Sequence, residues 1–244
     1  MTIRRSLRTT LSRAARRLLG APVLPVIDQL AKADGRFPTF CAALEYLDYE
    51  AVPGDVLEFG VFTGKSLALF AQAHGFDPKG MTRRIVGFDS FRGLPPSAES
   101  HERWQAGDCA VNHSWHPLLP LGAPVTPAVT FELFAACNLP RPEIEAGDFA
   151  ETLPATIPGK YSQVALAHLD CDLYESTRDV LAALGPVLAD GAMLLFDDWF
   201  HYKGHPGKGE ARAFHEFLAD HPEWGAQPYR SYGSFCQAFI LYRR

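Results

Sequence analysis

The sequence lacks any run of about twenty apolar residues, so it offers no segment that could span a bilayer as a helix. It also lacks an excess of positive charge, because 23 Lys and Arg are outnumbered by 28 Asp and Glu and the formal net charge is −5. Binding to phosphates requires a basic surface, so this balance argues against nucleic acid as the main partner. Internal repeats and low-complexity tracts are absent as well.

Cysteines in a metal-binding or evenly paired arrangement are also missing. The chain has five of them, an odd number, and their positions share no spacing typical of a metal site: Cys41, Cys109, Cys137, Cys171 and Cys236. This pattern predicts free thiols in a reducing cytoplasm.

Length and composition fit one domain preceded by a short extension. With 244 residues and 47% hydrophobic content, the chain can bury a full core. We assign residues 36–244 to the domain and residues 1–35 to a basic N-terminal helical extension, without the long apolar run of a secretory signal. A transit peptide or a membrane-surface helix is an alternative for the extension, but we favour a role in contacts between copies of the chain. Its arginines are Arg4, Arg5, Arg8, Arg13, Arg16 and Arg17.

Two apolar segments end in closely spaced carboxylates. VALAHL precedes Asp170 and Asp172, and AMLLF precedes Asp197 and Asp198. Both segments are typical of buried parallel strands, whose carboxyl ends meet in one crevice. Carboxylates this close repel one another unless a positive group lies between them, and a bound divalent cation is the simplest such group.

A glycine turn follows an earlier apolar strand at Val56–Phe59. Gly60 and Gly64 allow a sharp turn into a helix and a close approach of a ligand to its start. The segment is not a Walker motif, because three residues rather than four separate Gly60 from Gly64-Lys65-Ser66. It is not a dinucleotide fingerprint either, since Phe62 stands where the second glycine belongs. Glu58 at the strand tip suits a ligand with a cationic amino group.

A second strand, IVGF, ends in Asp89. Its separation along the sequence from the glycine turn is that at which a carboxylate usually binds ribose hydroxyls in nucleotide-binding folds. Together with Glu58, Ser66 and the glycine turn, Asp89 describes a pocket for adenosine joined to an amino acid, which S-adenosylmethionine fits. Asp148 is a candidate acceptor for the adenine amino group, with Phe149 beside the ring, although Gly-Asp also forms ordinary turns.

Five motifs in order across residues 57–199 carry a resemblance: LEFGVFTGKS, GFDSFRGLP, GDFAETLP, LDCDLYEST and FDDW. They resemble the macrocin O-methyltransferase family of class I S-adenosylmethionine-dependent methyltransferases. The resemblance implies an α/β, Rossmann-like fold with a seven-stranded, mostly parallel sheet and helices on both faces. It implies Mg²⁺-assisted methylation of a sugar hydroxyl on a natural product or glycan precursor. It also implies Asp170, Asp197 and Asp198 as metal ligands, and Ser90 and Asp170 among the donor-binding residues.

The hydroxyl must lose its proton as it attacks, so the site needs a base. Asp170 is a candidate for ligand, base or both, and His201 is an alternative base, ahead of His205, His113 and His116. For Asp172 we favour a helix-capping or ion-pairing role. Residues 97–125, which like 199–209 do not follow the family pattern, are expected to form a lid over the acceptor. Trp104, Trp115 and Trp199 either stack on the acceptor or hold the lid against the core.

The remaining elements follow from local signals. We expect helices over 37–49, from Thr126 as N-cap through Cys137, and over 210–218, with strands over 142–146 and 235–242. Two other functions stay open: a metal-independent methyltransferase with a histidine base and an O- or N-acceptor, and a non-catalytic subunit that binds S-adenosylmethionine.

Overall fold

A seven-stranded sheet organises the chain, as seen in a computed structural model that describes residues 26–75, 81–99, 101–113 and 119–244. The strands are β1 Asp55–Phe59, β2 Ile85–Asp89, β3 Glu143–Ala146, β4 Val164–Leu169, β5 Leu188–Phe196, β6 Trp224–Tyr232 and β7 Cys236–Arg243. The longer helices are α1 Val26–Ala33, α2 Phe37–Tyr49, α3 Lys65–Gly75, α4 Pro127–Ala136, α5 Phe149–Lys160, α6 Tyr174–Leu184 and α7 Gly209–Asp220, with short helical segments at Gly185–Val187 and His201–Gly204. The arginine-rich helix predicted within residues 1–20 lies outside the described residues.

The strand order is β3-β2-β1-β4-β5-β7-β6, and β7 alone runs antiparallel to its neighbours β5 and β6. The prediction of a seven-stranded, mostly parallel sheet is therefore confirmed. Helices α1, α2 and α4 contact α3, whereas α5 and α7 contact α6. Because parallel crossovers are right-handed and the strand order reverses at β1 and β4, these two groups cover opposite faces.

Apolar runs became the buried centre of the sheet, as predicted. Every residue of β4 is buried, and so are the last five of β5. Helix α2 has the predicted bounds, and Thr126 precedes α4 in extended conformation but makes no side-chain capping bond. Two elements could not be located from the sequence. Helix α5 contains Pro154 and Pro158, which argue against a helix, and β6 is an edge strand in which four of nine residues are exposed.

Register places three site residues side by side. Phe59, Leu169 and Phe196 are aligned across β1, β4 and β5, so Gly60, Asp170 and Asp197 follow at one edge. The backbone N–H of Asp170 donates to Phe59 O at 2.9 Å, and that of Asp197 to Leu169 O at 2.9 Å. A Cβ on Gly60 would lie 1.8 Å from the carbonyl oxygen of Asp170, so this position requires glycine.

Within the described residues, no helix combines the length and apolar character needed to cross a membrane.

Candidate active site

A cavity of about 860 Å³ opens at the carboxyl ends of the central strands. This volume is in the range of small-molecule sites. Eight of the residues predicted for the site line it: Gly60, Ser66, Asp89, Ser90, Asp148, Phe149, Asp170 and Asp197. Glu58, Gly64, Asp198 and His201 are not among its lining residues. The sequence prediction thus found the cavity and four of the carboxylates that line it, whereas the predicted carboxylates Glu58 and Asp198 do not line it.

Asp89 holds the glycine turn in place. Its Oδ2 accepts the backbone N–H groups of Val61 at 2.9 Å and Phe62 at 2.7 Å, and its Oδ1 accepts that of Phe91 at 2.7 Å. Burial raises the pKa of Asp89, and these three N–H groups oppose the shift. The carboxylate therefore shapes the wall on which a ligand would lie, and Phe62 takes a left-handed conformation (φ 49°) within it.

Gly64 serves packing at the start of α3. Its φ is +84°, its N–H donates to Val61 O at 2.8 Å, and an added Cβ would come within 2.5 Å of Thr130 Cγ2. The helix that follows presents Lys65 and Ser66 to the cavity.

The far wall of the cavity carries the GDFAETLP motif. Asp148 precedes α5 and forms an ion pair with Arg92 across the cavity rim. Phe149 packs edge-on against Phe59, with ring centroids 5.9 Å apart. Ser90 Oγ accepts the backbone N–H of Arg92 at 3.1 Å. The predicted adenine-binding residues therefore lie together at one end of the cavity.

Glu58 lies behind the cavity, where it pairs with a histidine on the next strand. Glu58 and His168 are register partners, both fully buried, and His168 Nδ1 is 2.9 Å from Glu58 Oε1. His168 Nε2 points toward Asp197 Oδ1 at 3.6 Å. Burial alone would lower the pKa of His168, but contacts with Asp197 and Glu58 outweigh it and raise the pKa to about 10. The imidazolium ion of His168 thus lies behind the sheet edge that carries Asp170 and Asp197, which we call the acidic edge.

Asp170 and Asp197 converge on the guanidinium group of Arg36. Arg36 Nη1 lies 2.8 Å from Asp197 Oδ1 and 3.1 Å from Asp170 Oδ2. Burial would raise the pKa of Asp197, but Arg36 and His168 bring it below its usual range. The pKa of Asp170 rises to about 7 because of burial and repulsion from Asp197. One carboxylate is therefore held ionised, while its neighbour can exchange a proton near neutral pH.

A thiol completes the surroundings of this pair. Cys236 on β7 donates its S–H to Asp197 Oδ1 at 3.2 Å, so the last strand contributes directly to the acidic edge.

Asp198 belongs to a second, more deeply buried group of acids. Its backbone N–H donates to Glu210 Oε2 at 2.9 Å, and Glu210 is 1% exposed. Burial and the negative charge of Asp172 raise the pKa of Asp198 well above its usual range. Burial and the charges of Asp197 and Asp170 raise the pKa of Glu210 in the same direction. Asp198 Oδ2 and Glu210 Oε1 find no hydrogen-bond partner within the described chain. Among the described residues, the group close enough to share one ion is His168, Asp170 and Asp197, whose ligand atoms lie within 4.8 Å of one another.

His201 sits in an aromatic cluster beside these acids. Its Nε2 is 3.3 Å from Asp198 Oδ1, and its ring stacks on Trp104 with centroids 4.6 Å apart. Phe235 contacts the ring from another side at 4.3 Å, and Trp104 also stacks on His101 at 4.1 Å. Burial, together with the nearby His101, lowers the pKa of His201. This aromatic cluster connects the loop over residues 101–104 with the segment after β5.

The other candidate histidines and tryptophans separate clearly. His113 and His205 are exposed, whereas Trp199 packs in the core against Phe196 and Phe239, with centroids 5.1 and 4.7 Å away. Within the described part of the chain, the ring contacts of Trp199 are thus with the core and α7 rather than with the predicted lid. Trp115 and His116 lie outside the described residues.

The predicted lid is anchored firmly at its start. Ser97 Oγ and the N–H of Ala98 donate to Glu175 at 2.8 and 2.9 Å. The side chain of Glu99, 8% exposed, accepts the N–H of Gly209 at 2.9 Å and pairs with Arg212 at 3.0 Å. These bonds hold the approach to the aromatic cluster against α6 and α7.

Sequence reasoning missed Arg36, His168 and Glu210. The signal for His168 was its position as a histidine within an otherwise apolar strand. This histidine pairs with Glu58. Arg36 gave no local signal, because its contact with Asp170 spans 134 positions. Clustered carboxylates were nevertheless expected to need a positive group, and the side chains of Arg36 and His168 supply positive charge beside them.

Comparison with known proteins agrees with this geometry. The family model described as Macrocin-O-methyltransferase (TylF) matches residues 13–221. A tetracenomycin-C 4'-O-methyltransferase of Streptomyces olivaceus, acting on a 2,3-dimethoxy-rhamnosyl derivative, is 34% identical over 155 residues, which are 62% of this chain and 54% of that protein. The mycinamicin III 3''-O-methyltransferase of Micromonospora griseorubida is 30% identical over 155 residues, covering 62% and 57%.

Among solved structures, the apo form of a TDP-rhamnose 3'-O-methyltransferase of calicheamicin biosynthesis is similar, with a TM-score of 0.57 and 28% identity over 84% of this chain and 77% of that chain. The chain spans little more than half the length of the two curated relatives. The family match nevertheless covers most of the sequence and all five motifs. The chain belongs to the macrocin O-methyltransferase family.

Proposed function

We propose that the chain is an S-adenosylmethionine-dependent O-methyltransferase that methylates a sugar hydroxyl on a natural product or glycan precursor. One observation carries the proposal: a single cavity joins the glycine turn at Gly60 to the carboxylates of Asp170 and Asp197. A donor bound at the turn would place its reactive end beside groups able to accept a proton. The sugar acceptor is supported by the names of the relatives, which act on a rhamnosyl derivative and on TDP-rhamnose.

The donor would lie along the glycine turn that Asp89 holds, with its adenine end near Asp148 and Phe149. Glu58 would act on it indirectly, because its carboxylate is fully buried and pairs with His168. In the transfer, the acceptor oxygen forms a bond to the methyl carbon as the bond from that carbon to sulfur breaks. The hydroxyl proton would pass to Asp170, whose pKa of about 7 suits a base near neutral pH.

The residues at the acidic edge fit a divalent cation in part. Asp170 Oδ2 and Asp197 Oδ1 already converge on one positive atom, Arg36 Nη1, and hard oxygen ligands suit Mg²⁺. The carboxylate of Asp198, the third ligand implied by the family resemblance, does not line the cavity and lies 3.3 Å from His201 Nε2, so its role stays a prediction. A Mg²⁺ ion bound there would lower the pKa of the acceptor hydroxyl.

A cytoplasmic location and a homo-oligomeric state remain part of the proposal. The five cysteines are unpaired, which favours a reducing compartment.

Calorimetric titration with S-adenosylmethionine tests donor binding, with ATP at the same concentration as the control ligand. We expect binding of the former and none of the latter, because the Walker spacing is absent. Transfer of labelled methyl to TDP-rhamnose and to rhamnosylated natural products then tests the reaction. Absence of donor binding at millimolar concentration would refute the proposal.

Asp170→Asn tests the proton acceptor. We expect kcat to fall by about 10²- to 10⁴-fold, the usual contribution of a general base, with donor binding retained. Asp179→Asn is the matched control, because Asp179 also lines the cavity but pairs with Arg178. Equal activity of the two variants would exclude Asp170 as the base.

A further inference from the structure

The side chain of Arg36 is held in one direction by a buried acid. Its Nε and Nη2 donate to the two carboxylate oxygens of Asp34, each at 3.1 Å, and its backbone N–H donates to Asp34 Oδ1 at 3.0 Å. The Asp34 side chain is 5% exposed and is also 2.7 Å from Lys65 Nζ. This two-point pairing fixes the plane of the guanidinium group, a geometry that lysine cannot reproduce.

The one nitrogen left over, Nη1, serves both acids of the proposed metal site. It contacts Asp197 Oδ1 and Asp170 Oδ2 at 2.8 and 3.1 Å. These are carboxylates of the group that could share one ion. A divalent cation would need oxygens of the same two carboxylates and would be repelled by the guanidinium charge a few ångströms away.

We propose that Arg36 and a divalent cation are alternative counter-ions of Asp170 and Asp197, so that the guanidinium charge of Arg36 weakens binding of the cation. The inference deepens the proposed function, on whose metal site it rests. It makes Arg36 a positioning residue, since with the cation absent its guanidinium keeps the two carboxylates together.

The test is calorimetric titration of the full-length chain with Mn²⁺, and separately with Mg²⁺, in the absence of donor and acceptor. Arg36→Gln removes the competing charge, so we expect it to bind Mn²⁺ about tenfold more tightly than the wild type, or better. Arg92→Gln is the matched control: it removes the same charge from the cavity lining, but Arg92 pairs with Asp148 and not with Asp170 or Asp197. We expect its Mn²⁺ affinity to stay within about threefold of the wild type, as for a distant, solvent-exposed charge.

A third variant locates the ion. The affinity gained by Arg36→Gln should disappear when Asp170→Asn is added, and a gain that persists would mean that the ion binds elsewhere and would overturn the proposal. An Arg36→Gln protein that binds Mn²⁺ no more tightly than Arg92→Gln would overturn it too. Circular dichroism checks folding. If Arg36→Gln does not fold, Arg36→Lys replaces it. A lysine cannot form the paired hydrogen bonds to Asp34 and should therefore compete less with the cation for Asp170 and Asp197. Unchanged Mn²⁺ affinity in that variant would also refute the proposal.

Titration of the same samples with S-adenosylmethionine separates this inference from the proposed function. Loss of donor binding in the wild type would refute the methyltransferase proposal and leave the ranking of Mn²⁺ affinities intact. Normal donor binding with no difference between the arginine variants would refute the counter-ion proposal alone.

Discussion

At the scale of single residues, the acidic edge is an alternation of charges rather than a cluster of acids. Two cationic side chains, Arg36 and His168, touch Asp197 from different sides, and Glu58 holds the histidine. Buried ion pairs are costly to break, because removal of one partner leaves an uncompensated charge. The function of each carboxylate at this edge therefore depends on which cation it contacts.

The pairing of His168 predicts a pH-dependent stability. Its pKa is about 10 in the folded chain and about 6.5 when unfolded, so the charged form stabilises the fold. That stabilisation is complete below about pH 6.5 and is lost as pH rises through 10. In urea unfolding at pH 6 to 10, the free energy of unfolding of the wild type should exceed that of His168→Gln most at low pH. This difference should shrink toward pH 10.

The exposed His205→Gln serves as control for that series, and its free energy of unfolding should run parallel to the wild type. A constant difference between wild type and His168→Gln across the range would show that the imidazole is neutral in the folded chain.

At the scale of elements, the aromatic cluster joins the segment predicted to contact the acceptor to the segment after β5. Trp104 comes from the segment that departs from the family pattern, and it stacks on His201, whose ring contacts Asp198. Trp104→Ala should therefore raise the KM for TDP-rhamnose by about 3- to 10-fold, the range for loss of one aromatic contact, with kcat less affected. Steady-state kinetics at saturating donor measures it.

Trp104→Phe keeps an aromatic face and should restore most of the affinity. An unchanged KM in Trp104→Ala would assign the cluster to loop packing alone.

Elements with strong local signals were predictable from sequence, and those governed by tertiary context were not. The buried strands β1, β2, β4 and β5 are mostly apolar, and α2 has a proline in its first turn. Helix α5 forms despite Pro154 and Pro158, because Leu153 and Ile157 bury against the core. Contacts such as that of Arg36 with Asp170 join distant positions, so spacing rules cannot reveal them. The cavity wall was therefore predictable, but its charge compensation was not.

At the scale of the whole molecule, the C-terminal hairpin is part of the domain. Strand β7 pairs with β5, and Trp224 on β6 is fully buried, with the Arg243 guanidinium 3.9 Å from its ring centroid. Trp224→Ala should lower the free energy of unfolding by about 3 to 5 kcal/mol, as for other large-to-small core changes. Urea denaturation measures this loss.

The control is Tyr49→Ala, because Tyr49 is 87% exposed and its loss should cost less than about 0.5 kcal/mol. Similar unfolding midpoints for the two variants would mean that the hairpin contributes little to the fold.

The bond from the Cys236 thiol to Asp197 joins this hairpin to the acidic edge, although the family match ends at residue 221. Exchange of the C-terminal hairpin between relatives would therefore replace a residue that contacts Asp197, while every signature motif is kept. Chimaeras joined at that boundary offer a compact route to altered chemistry on an unchanged scaffold.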